Sequence, residues 1–211
     1  MTEYPKIPTV WKRDPETNNK RLLHGVWSTP ELAYLQTCDW RWTEKVDGTN
    51  IRVMYEPPAT IRYGGRTDNA QIPAQLVTAL DVLFRPKLEM MQNMFTDTPV
   101  CFYGEGYGAG IQSGGNYRQD MGFALFDIRI GVWLTHKDVR DIATSLGIPM
   151  APVVGTGGLW EMIGLVREGF ESRWGHFPAE GIVARPGVEL RDRAGNRVIC
   201  KLKQRDFREK P

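Results

Sequence analysis

The sequence has few of the residues that build metal clusters and disulfide frameworks. Only three cysteines and three histidines occur among its 211 residues. Cys38, Cys101 and Cys200 show no Cys-x-x-Cys spacing, and the histidines are scattered along the chain. These features disfavour a zinc site and a disulfide scaffold. They favour a reduced, cytoplasmic protein whose thiols are buried.

Long apolar runs and a strong net charge are absent as well. No run approaches the ~20 apolar residues that cross a bilayer, so we expect no membrane association. The first residues, Met1-Thr2-Glu3, lack the basic and apolar segments of a signal peptide. A formal net charge of +2 does not by itself indicate a polyanionic partner, so any basic surface must be local. With 41% hydrophobic residues, the chain suits one compact domain over residues 1–211.

Hydrophobic periodicity predicts a mixture of strands and helices. The run Ile51–Tyr55 alternates apolar and polar residues, and Thr60–Tyr63 returns as its antiparallel partner. A second hairpin is expected between residues 188–191 and 197–203. The predicted helices cover residues 71–95 in two pieces, 135–146 and 158–168. The pattern is typical of an α+β fold whose strands are mostly antiparallel.

The most informative stretch contains a lysine at the end of one strand and just before the next. Lys45 lies between Trp42 and the strand Ile51–Tyr55, so we expect its stem to be buried. A buried lysine loses proton affinity and can act as a nucleophile. The Lys45-x-Asp47-Gly48 spacing alone is weak, since such a pattern recurs by chance in roughly one chain in thirty. A charged turn between two strands is the alternative interpretation.

Two glycine-rich turns carry charged side chains. Gly64-Gly65 precedes Arg66, and glycines there would let the backbone approach an anion closely. Glu105 lies between Gly104 and Gly106, where a ligand would be able to lie against the backbone. A solvated arginine and a solvated glutamate are the alternatives at these positions.

An aromatic strand is predicted over residues 122–130. Strict alternation puts Phe126 on the more apolar face and Phe123 on the mixed face, where it is freer to meet a ligand. A phenylalanine that stacks on a base contributes ~1–3 kcal/mol. Core packing is the alternative for either ring.

The last predicted strands bring together a carboxylate and two ammonium groups. Glu180 begins one strand, and Lys201 and Lys203 alternate with Cys200 and Leu202 on another. Two lysines on one face repel each other unless an anion lies between them. The alternative is an edge strand whose lysines protect against aggregation.

In this order and spacing, the motifs resemble those of the covalent nucleotidyltransferases, which include polynucleotide ligases and capping enzymes. The matching stretches are Lys45-Val46-Asp47-Gly48, Phe102-Tyr103-Gly104-Glu105, Phe123-Ala124-Leu125-Phe126-Asp127-Ile128, Glu180-Gly181-Ile182-Val183 and Lys201-Leu202-Lys203. Glu44, Asn50 and the Gly-Ile-Gln that ends at Gln112 are most similar to the RNA ligase 2 family. The resemblance covers residues 40 to 205.

This resemblance implies a nucleotidyltransferase fold, similar to ATP-grasp, of antiparallel sheets flanked by helices. No OB domain is expected, so the chain would be an adenylyltransferase domain alone. The implied activity is ATP-dependent RNA ligation. A lysine attacks the α-phosphorus of ATP, AMP passes to a 5′-phosphate end, and a 3′-hydroxyl displaces it.

The resemblance also implies roles for individual residues. Lys45 is the expected nucleophile, with Lys201 and Lys203 as catalytic cations at the α-phosphate. The nucleotide-binding residues would be Glu44 through its backbone, Asn50, Arg66, Glu105, Phe123, Lys201 and Lys203. Glu180 and Asp47 would bind Mg²⁺ or Mn²⁺.

The amine must lose its proton before it can attack. A lysine with an ordinary pKa of about 10.4 is neutral in only roughly 4 of 10,000 molecules at neutral pH. Burial, a divalent metal and the two lysines of the last strand would lower this pKa, whereas a contact with Asp47 would raise it. We therefore expect Asp47 to face the metal rather than the amine.

The expected partners are RNA ends or nicks, with DNA ends or nicks as the alternative. The candidate phosphate contacts are Arg191, Arg193, Arg197, Arg205 and Arg208. A minimal DNA ligase, or an adenylyltransferase that needs a helper protein in place of a missing C-terminal domain, is the alternative enzyme. A binding module without turnover is the non-enzymatic alternative, and a capping guanylyltransferase is disfavoured.

Overall fold

Eleven strands and five α-helices follow one another along residues 2–207, the part of the chain that the computed structural model describes. The strands are β1 (Trp11–Arg13), β2 (Leu22–Trp27), β3 (Trp40–Glu44), β4 (Thr49–Glu56), β5 (Thr60–Gly65), β6 (Val100–Tyr107), β7 (Gly122–Ile130), β8 (Val132–Trp133), β9 (Val153–Gly157), β10 (Gly181–Pro186) and β11 (Cys200–Lys203). The helices are α1 (Pro30–Tyr34), α2 (Ala74–Phe84), α3 (Leu88–Phe95), α4 (His136–Leu146) and α5 (Leu159–Glu168). This mixture of helices and antiparallel strands confirms the predicted α+β class.

These elements form two compact units. The five-stranded unit contains residues 46–151 together with the residues up to Pro5, and the four-stranded unit contains residues 6–45 and those from Pro152 onward. The single adenylyltransferase domain expected over residues 1–211 stays a prediction. No helix in residues 2–207 is long and apolar enough to cross a membrane.

The five-stranded unit is an antiparallel sheet with helices packed on one face. Its strand order is β5-β4-β6-β7-β8. Helix α2 buries a stripe made of Leu76, Leu80 and Phe84, as the periodicity predicts, and each such side chain contributes about 1.5–3 kcal/mol when fully buried. Helix α4 begins where its predicted range starts, at a cap in which Thr135 accepts a hydrogen bond from the backbone N–H of Asp138.

A β-bulge changes which residues of β7 face this core. The pairing of β6 with β7 shifts register between Tyr103 and Gly104, which leaves Phe126 as the extra residue. As a result Phe123, Leu125 and Ile128 all lie in the core, while Phe126 lies outside it and is only partly buried. The prediction that Phe126 belongs to the core and Phe123 is free was therefore wrong. It assumed an uninterrupted alternation.

The four-stranded unit has the strand order β11-β10-β3-β9, and α5 packs against one face of this sheet. Its core residues are Trp40, Trp42, Leu159, Met162, Ile163, Val166, Ile182, Ala184, Cys200 and Leu202, among others. The buried positions of Cys200 and Leu202 confirm the predicted alternation of the last strand.

Strand β11 is not an open edge of this sheet. The N–H of Val10 donates to the carbonyl of Lys201 at 3.0 Å, and the N–H of Lys201 donates to the carbonyl of Pro8 at 2.9 Å. The N-terminal segment therefore covers the outer side of the strand, which removes the need for lysines as protection against aggregation.

The second predicted hairpin formed only in part. A single bridge joins Arg191 to Arg197, and Cys200–Lys203 pairs with β10 rather than with residues 188–191. The strand with the two lysines is thereby placed beside the strand that follows Glu180.

Candidate active site

Lys45 follows directly on the last residue of β3. Its backbone N–H donates to the carbonyl of Gly181 at 2.9 Å, which ties the end of β3 to the start of β10. Its Nζ lies 2.7 Å from Oε2 of Glu180, and the lysine side chain is only 18% exposed. The predicted burial of the lysine stem is confirmed.

Glu180 joins two ammonium groups. Its second oxygen, Oε1, lies 2.5 Å from Nζ of Lys203, and the side chains of Glu180 and Lys203 are 11% and 15% exposed. The carboxylate therefore bridges Lys45 and Lys203 in a partly desolvated site.

The pairing of β10 with β11 brings the second lysine of the strand to the same face. Lys203 lies opposite Gly181, and Lys201 lies opposite Val183. Residues two apart on a strand point to the same side. Lys201, Lys203 and Glu180 thus belong to one side of the sheet, the side away from α5.

The residue before the lysine holds a loop in place. Glu44 is 1% exposed, and its carboxylate accepts hydrogen bonds from Ser172 Oγ at 2.5 Å and from the backbone N–H of Arg173 at 2.8 Å. The same hydroxyl of Ser172 accepts the N–H of Trp174 at 3.1 Å. Burial raises the pKa of the Glu44 carboxyl, while the donors from Ser172 and Arg173 act in the opposite direction.

The hydrogen bonds that Glu44 accepts from Ser172 and Arg173 hold the segment that leads into Glu180. The N–H of Ser172 donates to the carbonyl of Phe177 at 2.8 Å, and the N–H of Ala179 donates to the carbonyl of Phe170 at 3.0 Å. Glu44 therefore anchors the loop 170–179 to the end of β3, immediately before Lys45. Sequence reasoning missed Ser172, because a single serine 128 residues away carries no local signal.

The backbone N–H of Glu44 is already used in a hydrogen bond within the protein, which limits how the Glu44 backbone can contact adenine. The N–H of Glu44 already donates to the carbonyl of Pro152 at 2.9 Å. A base-reading role at this position would therefore fall to the Glu44 carbonyl.

In the five-stranded unit, two of the predicted nucleotide-binding residues lie side by side. Asn50 pairs directly with Glu105 across β4 and β6, so their side chains share the sheet face that is turned away from the helices. Within residues 2–207, Oδ1 of Asn50 is buried and has no hydrogen-bond partner. An unsatisfied buried acceptor suits a ligand that brings a hydroxyl or amino donor.

Asp47 belongs to the same unit. Its carboxylate accepts the backbone N–H of Ser113 at 3.3 Å, and its own N–H donates to the hydroxyl of Tyr117 at 3.2 Å. These bonds fix the turn between the lysine and β4.

The glycine pair near Arg66 makes room for a different arginine. Arg52 is buried, and it donates to the Gly65 carbonyl and to Asp68, each at 2.7 Å. A Cβ at Gly64 would lie 3.1 Å from the Arg52 guanidinium. Arg66 itself is exposed and makes no hydrogen bond or ion pair with any residue that the structure describes. The glycines thus serve internal packing, and the anion contact of Arg66 stays a prediction.

The glycines beside Glu105 also serve packing. A Cβ at Gly104 would meet the ring of Phe123 at 2.2 Å, and one at Gly106 would meet Leu76 at 2.5 Å. Both positions face the core, so the space that glycine leaves is filled by the protein rather than by a ligand.

Phe123 lies deep in this core. It is 3% exposed, and its ring meets Phe84 edge-on with centroids 5.4 Å apart. Phe126 instead contacts Tyr4, whose ring is 5.0 Å away, and Tyr4 also donates to the buried Asp127 at 2.7 Å. Of the two phenylalanines in the predicted motif, Phe126 is therefore the one that lies outside the core.

Glu180, one of the two predicted metal carboxylates, already contacts two ammonium groups. Within the described part of the chain, no group of three or more His, Cys, Asp or Glu side chains converges. Both oxygens of Glu180 contact ammonium groups. A divalent cation would compete there with two positive charges that are already in place.

The family model of RNA ligases matches residues 39–203, which include the lysine, the bridging glutamate and the lysine pair. This chain belongs to the RNA ligase family. A search of curated proteins finds no significant match.

Solved structures of a Naegleria gruberi RNA ligase share the fold of this RNA ligase family member. A mutant with ATP and Mn has a TM-score of 0.67 at 16% identity, covering 96% of this chain and 56% of that chain. The ligase with PPi has a TM-score of 0.64 at 17% identity, covering 96% and 58%. A mutant with AMP and Mn has a TM-score of 0.64 at 16% identity, covering 96% and 58%. This chain spans less than three fifths of the length of those chains.

The arginines predicted to contact RNA divide into two groups. Arg197 is 4% exposed at its side chain and is held by Glu189, so it supports the fold rather than a free surface. Arg191, Arg193 and Arg205 are exposed. Arg208 lies outside the described residues.

Proposed function

We propose that this chain is the adenylyltransferase part of an ATP-dependent RNA ligase that works through a lysyl–AMP intermediate on Lys45. AMP then passes to a 5′-phosphate end, and a 3′-hydroxyl displaces it and seals the strand. Family membership supports the RNA ligase assignment, and the neighbouring structures with ATP, AMP and PPi support nucleotide chemistry.

One observation carries this proposal. The amine of Lys45 is sheltered from solvent and lies 2.7 Å from a carboxylate that also contacts Lys203. A surface lysine would extend into water. An amine held in a small group of fixed charges is the arrangement that nucleophilic catalysis requires.

The bond changes balance with the groups at hand. The nitrogen of Lys45 forms a bond to the α-phosphorus, the bond from phosphorus to the bridging oxygen breaks, and pyrophosphate leaves. The amine must release a proton, and Oε2 of Glu180 is in hydrogen-bond reach to accept it. Glu180 therefore has two tasks, which are to orient the amine and to receive its proton.

Lys201 and Lys203 of β11 are suited to bind the negatively charged phosphates of ATP. Lys201 and Lys203 are partly buried on the side of the sheet where Glu180 lies. Fixed cations stabilise the charge that develops on the transferred phosphoryl group because they need no reorganisation during the reaction.

The contacts to the base and ribose rest on the resemblance. Asn50 and Glu105 keep their proposed role in binding the nucleotide, supported by the unsatisfied Oδ1 of Asn50. The roles of Arg66 and of the Glu44 backbone remain predictions. Stacking on the base was predicted for Phe123, and we propose that it passes to Phe126, since Phe123 is occupied by core packing.

For the metal, we propose that Mg²⁺ or Mn²⁺ enters with the triphosphate. Mg²⁺ keeps several of its waters and is commonly bound through substrate phosphates and one or two carboxylates. Glu180 and Asp47 remain the predicted carboxylates. The chemistry that the ion would supply is neutralisation of phosphate charge.

The first step can be tested by mass. The protein is incubated with ATP and Mg²⁺ and weighed as an intact chain. We expect a gain of one AMP, which Lys45→Ala abolishes because no other amine replaces it. Lys12→Ala, at an exposed lysine of β1, is the matched control and should keep the full mass gain.

Two results would contradict the proposal. An unmodified wild-type chain would exclude a lysyl–AMP intermediate under these conditions, and a gain of GMP from GTP would point to capping. A gain of AMP without sealing of any nicked RNA would favour the adenylyltransferase that needs a helper protein.

A further inference from the structure

The first residues of the chain lie on the face of the five-stranded sheet that is turned away from the helices. The hydroxyl of Tyr103 donates to the carbonyl of Thr2 at 2.8 Å, and the hydroxyl of Tyr4 donates to Asp127 at 2.7 Å. Tyr103 lies opposite Asp127 and two residues from Glu105, so it shares the sheet face of Glu105. Residues 2–4, which we call the N-terminal strap, therefore cover the row of side chains next to Glu105.

Within this strap, Tyr4 is fixed by several contacts. Its side chain is only 5% exposed. Its ring lies 5.3 Å from the ring of Tyr103 and 5.5 Å from that of Trp133, measured between centroids. Its hydroxyl is held by Asp127, which is itself fully buried. The first residues of a domain are ordered only where such contacts tie them down. The ring of Tyr4 thus has a defined place on the sheet.

The same ring contacts Phe126, the residue to which we assign stacking on the base. Phe126 is the extra residue of the bulge in β7, so the register of β6 and β7 does not set the direction of its ring. Tyr4 meets this ring edge-on, with centroids 5.0 Å apart and an angle of 69° between the ring planes. An edge contact of this kind is a favourable aromatic geometry, and it occupies at most one face of Phe126.

Tyr4 therefore supports the bulge at two successive residues. Its ring contacts Phe126, and its hydroxyl binds the carboxylate of Asp127. A side chain that is ordered before a ligand binds does not lose its rotamer freedom during binding, which favours affinity. The contact with Tyr4 provides such order at the residue whose direction the strand pairing leaves open.

We propose that Tyr4 is a positioning residue of the nucleotide site, which holds the ring of Phe126 in the orientation that stacks on the base. The inference rests on the proposed function, in which Phe126 stacks on adenine, and it adds the N-terminal strap to that site. The ring of Tyr4 carries this role, whereas its hydroxyl stabilises the fold through Asp127. Substitution can separate the two.

The test measures nucleotide affinity apart from chemistry. Binding of α,β-methylene ATP, an analogue that cannot release pyrophosphate, is measured by calorimetry with Mg²⁺ and the full-length protein. Lysyl–AMP formation from ATP is followed separately by mass. We expect Tyr4→Ala to weaken binding of the analogue about fivefold, because the edge contact that orders Phe126 is lost. Tyr4→Phe keeps the ring and should bind within about twofold of the wild type.

A double variant shows whether Tyr4 acts through Phe126. Tyr4→Ala combined with Phe126→Ala should bind the analogue no more weakly than Phe126→Ala alone, within about twofold, because the ring that Tyr4 orders is already absent. Two residues that act independently would instead multiply their effects. A merely structural tyrosine would lower the melting temperature without this coupling.

Melting temperatures and two further variants control for folding. Tyr4→Phe and Tyr4→Ala both lose the hydrogen bond to the buried Asp127, so both should melt at a lower temperature, yet only Tyr4→Ala should lose affinity. Tyr34→Ala removes a tyrosine that is 86% exposed and should change neither property. If Tyr4→Ala does not fold, Tyr4→Leu, which keeps an apolar side chain without a ring, takes its place under the same criteria.

Three results would overturn the inference. Unchanged affinity in folded Tyr4→Ala would show that the strap does not serve the nucleotide site. An equal loss in Tyr4→Phe would assign the effect to the hydroxyl, and multiplied losses in the double variant would separate Tyr4 from Phe126. A wild type that binds the analogue but forms no lysyl–AMP would contradict the proposed function, while the affinities would still test Tyr4. A wild type that does not bind the analogue would contradict both.

Discussion

At the scale of single residues, the central feature is a carboxylate shared by two ammonium groups. Glu180 holds Lys45 through Oε2 and Lys203 through Oε1. The amine of Lys45 is therefore held in place by an ion pair that must open before the amine can attack. The low pKa expected for Lys45 stays a prediction.

The two phenylalanines of β7 allow a sharp prediction at this scale. Phe126→Ala should weaken ATP-dependent adenylylation, raising the ATP concentration for half-maximal rate about tenfold, since base stacking contributes ~1–3 kcal/mol. Its thermal stability should change little, because Phe126 lies outside the core. The measurement is the rate of lysyl–AMP formation against ATP concentration.

Phe123→Ala is the matched comparison. Removal of this core ring should lower the free energy of unfolding by about 3–5 kcal/mol, as measured by urea denaturation. If Phe123→Ala instead kept its stability and lost ATP affinity, the original assignment from the sequence would be correct and the proposed exchange of roles would be wrong.

At the scale of elements, irregular segments position the site. The bulge in β7 turns one phenylalanine out of the core, and the loop 170–179 is fixed to β3 by the carboxylate of Glu44. Neither feature follows from helix or strand propensity. Both depend on contacts between segments far apart in sequence, and both lie within one to a few residues of the predicted motifs.

The buried carboxyl of Glu44 should make the free energy of unfolding depend on pH. Burial raises the pKa of this carboxyl above 4.5, so the folded protein holds the proton more tightly than the unfolded chain does. The contribution of Glu44 is thus fully present below pH 4.5 and is lost as pH rises through the raised pKa, by about 1.4 kcal/mol per pKa unit. The unfolding free energy of the wild type should therefore fall, relative to Glu44→Gln, as the pH rises above 4.5.

Urea denaturation of both proteins across this pH range measures the difference. Ser172→Ala removes a donor that lowers the pKa, so it should steepen the fall, while Ser172→Thr keeps a hydroxyl and should resemble the wild type. Parallel stability curves for the wild type and Glu44→Gln would mean that Glu44 does not titrate differently in the folded state.

At the scale of the whole molecule, the net charge of +2 makes nucleic-acid binding depend on local cations. We predict that sealing of nicked RNA falls steeply with salt, since two phosphate contacts alone imply about a tenfold loss of affinity between ~50 and ~200 mM salt. Lysyl–AMP formation should depend on salt much less. Sealing rates on nicked RNA, nicked DNA and single strands, each at several salt concentrations, provide the measurement.

These sealing rates also distinguish RNA from DNA as the substrate. Faster sealing of nicked RNA than of nicked DNA supports the RNA ligase, whereas the reverse order would favour the minimal DNA ligase. A sealing rate on RNA that does not change with salt would contradict the expectation that phosphate contacts dominate binding.

The sequence alone determined the α+β class, the bounds of most helices and the set of motifs around Lys45. These depend on local signals, namely the period of apolar residues, a capping threonine at Thr135 and the order of short charged motifs. Of the three thiols expected to be buried, Cys101 and Cys200 are buried in apolar strands, whereas Cys38 is exposed.

Only the tertiary structure decided which side chains meet. Strict alternation failed at Phe126 because a bulge adds a residue to one strand without any mark in composition. The glycines near Arg66 and Glu105 proved to accommodate Arg52, Phe123 and Leu76, since a glycine indicates a close approach but not what approaches. The pairing of Glu180 with Lys45, 135 residues apart, arises because antiparallel β3 and β10 bring the end of one strand to the start of the other.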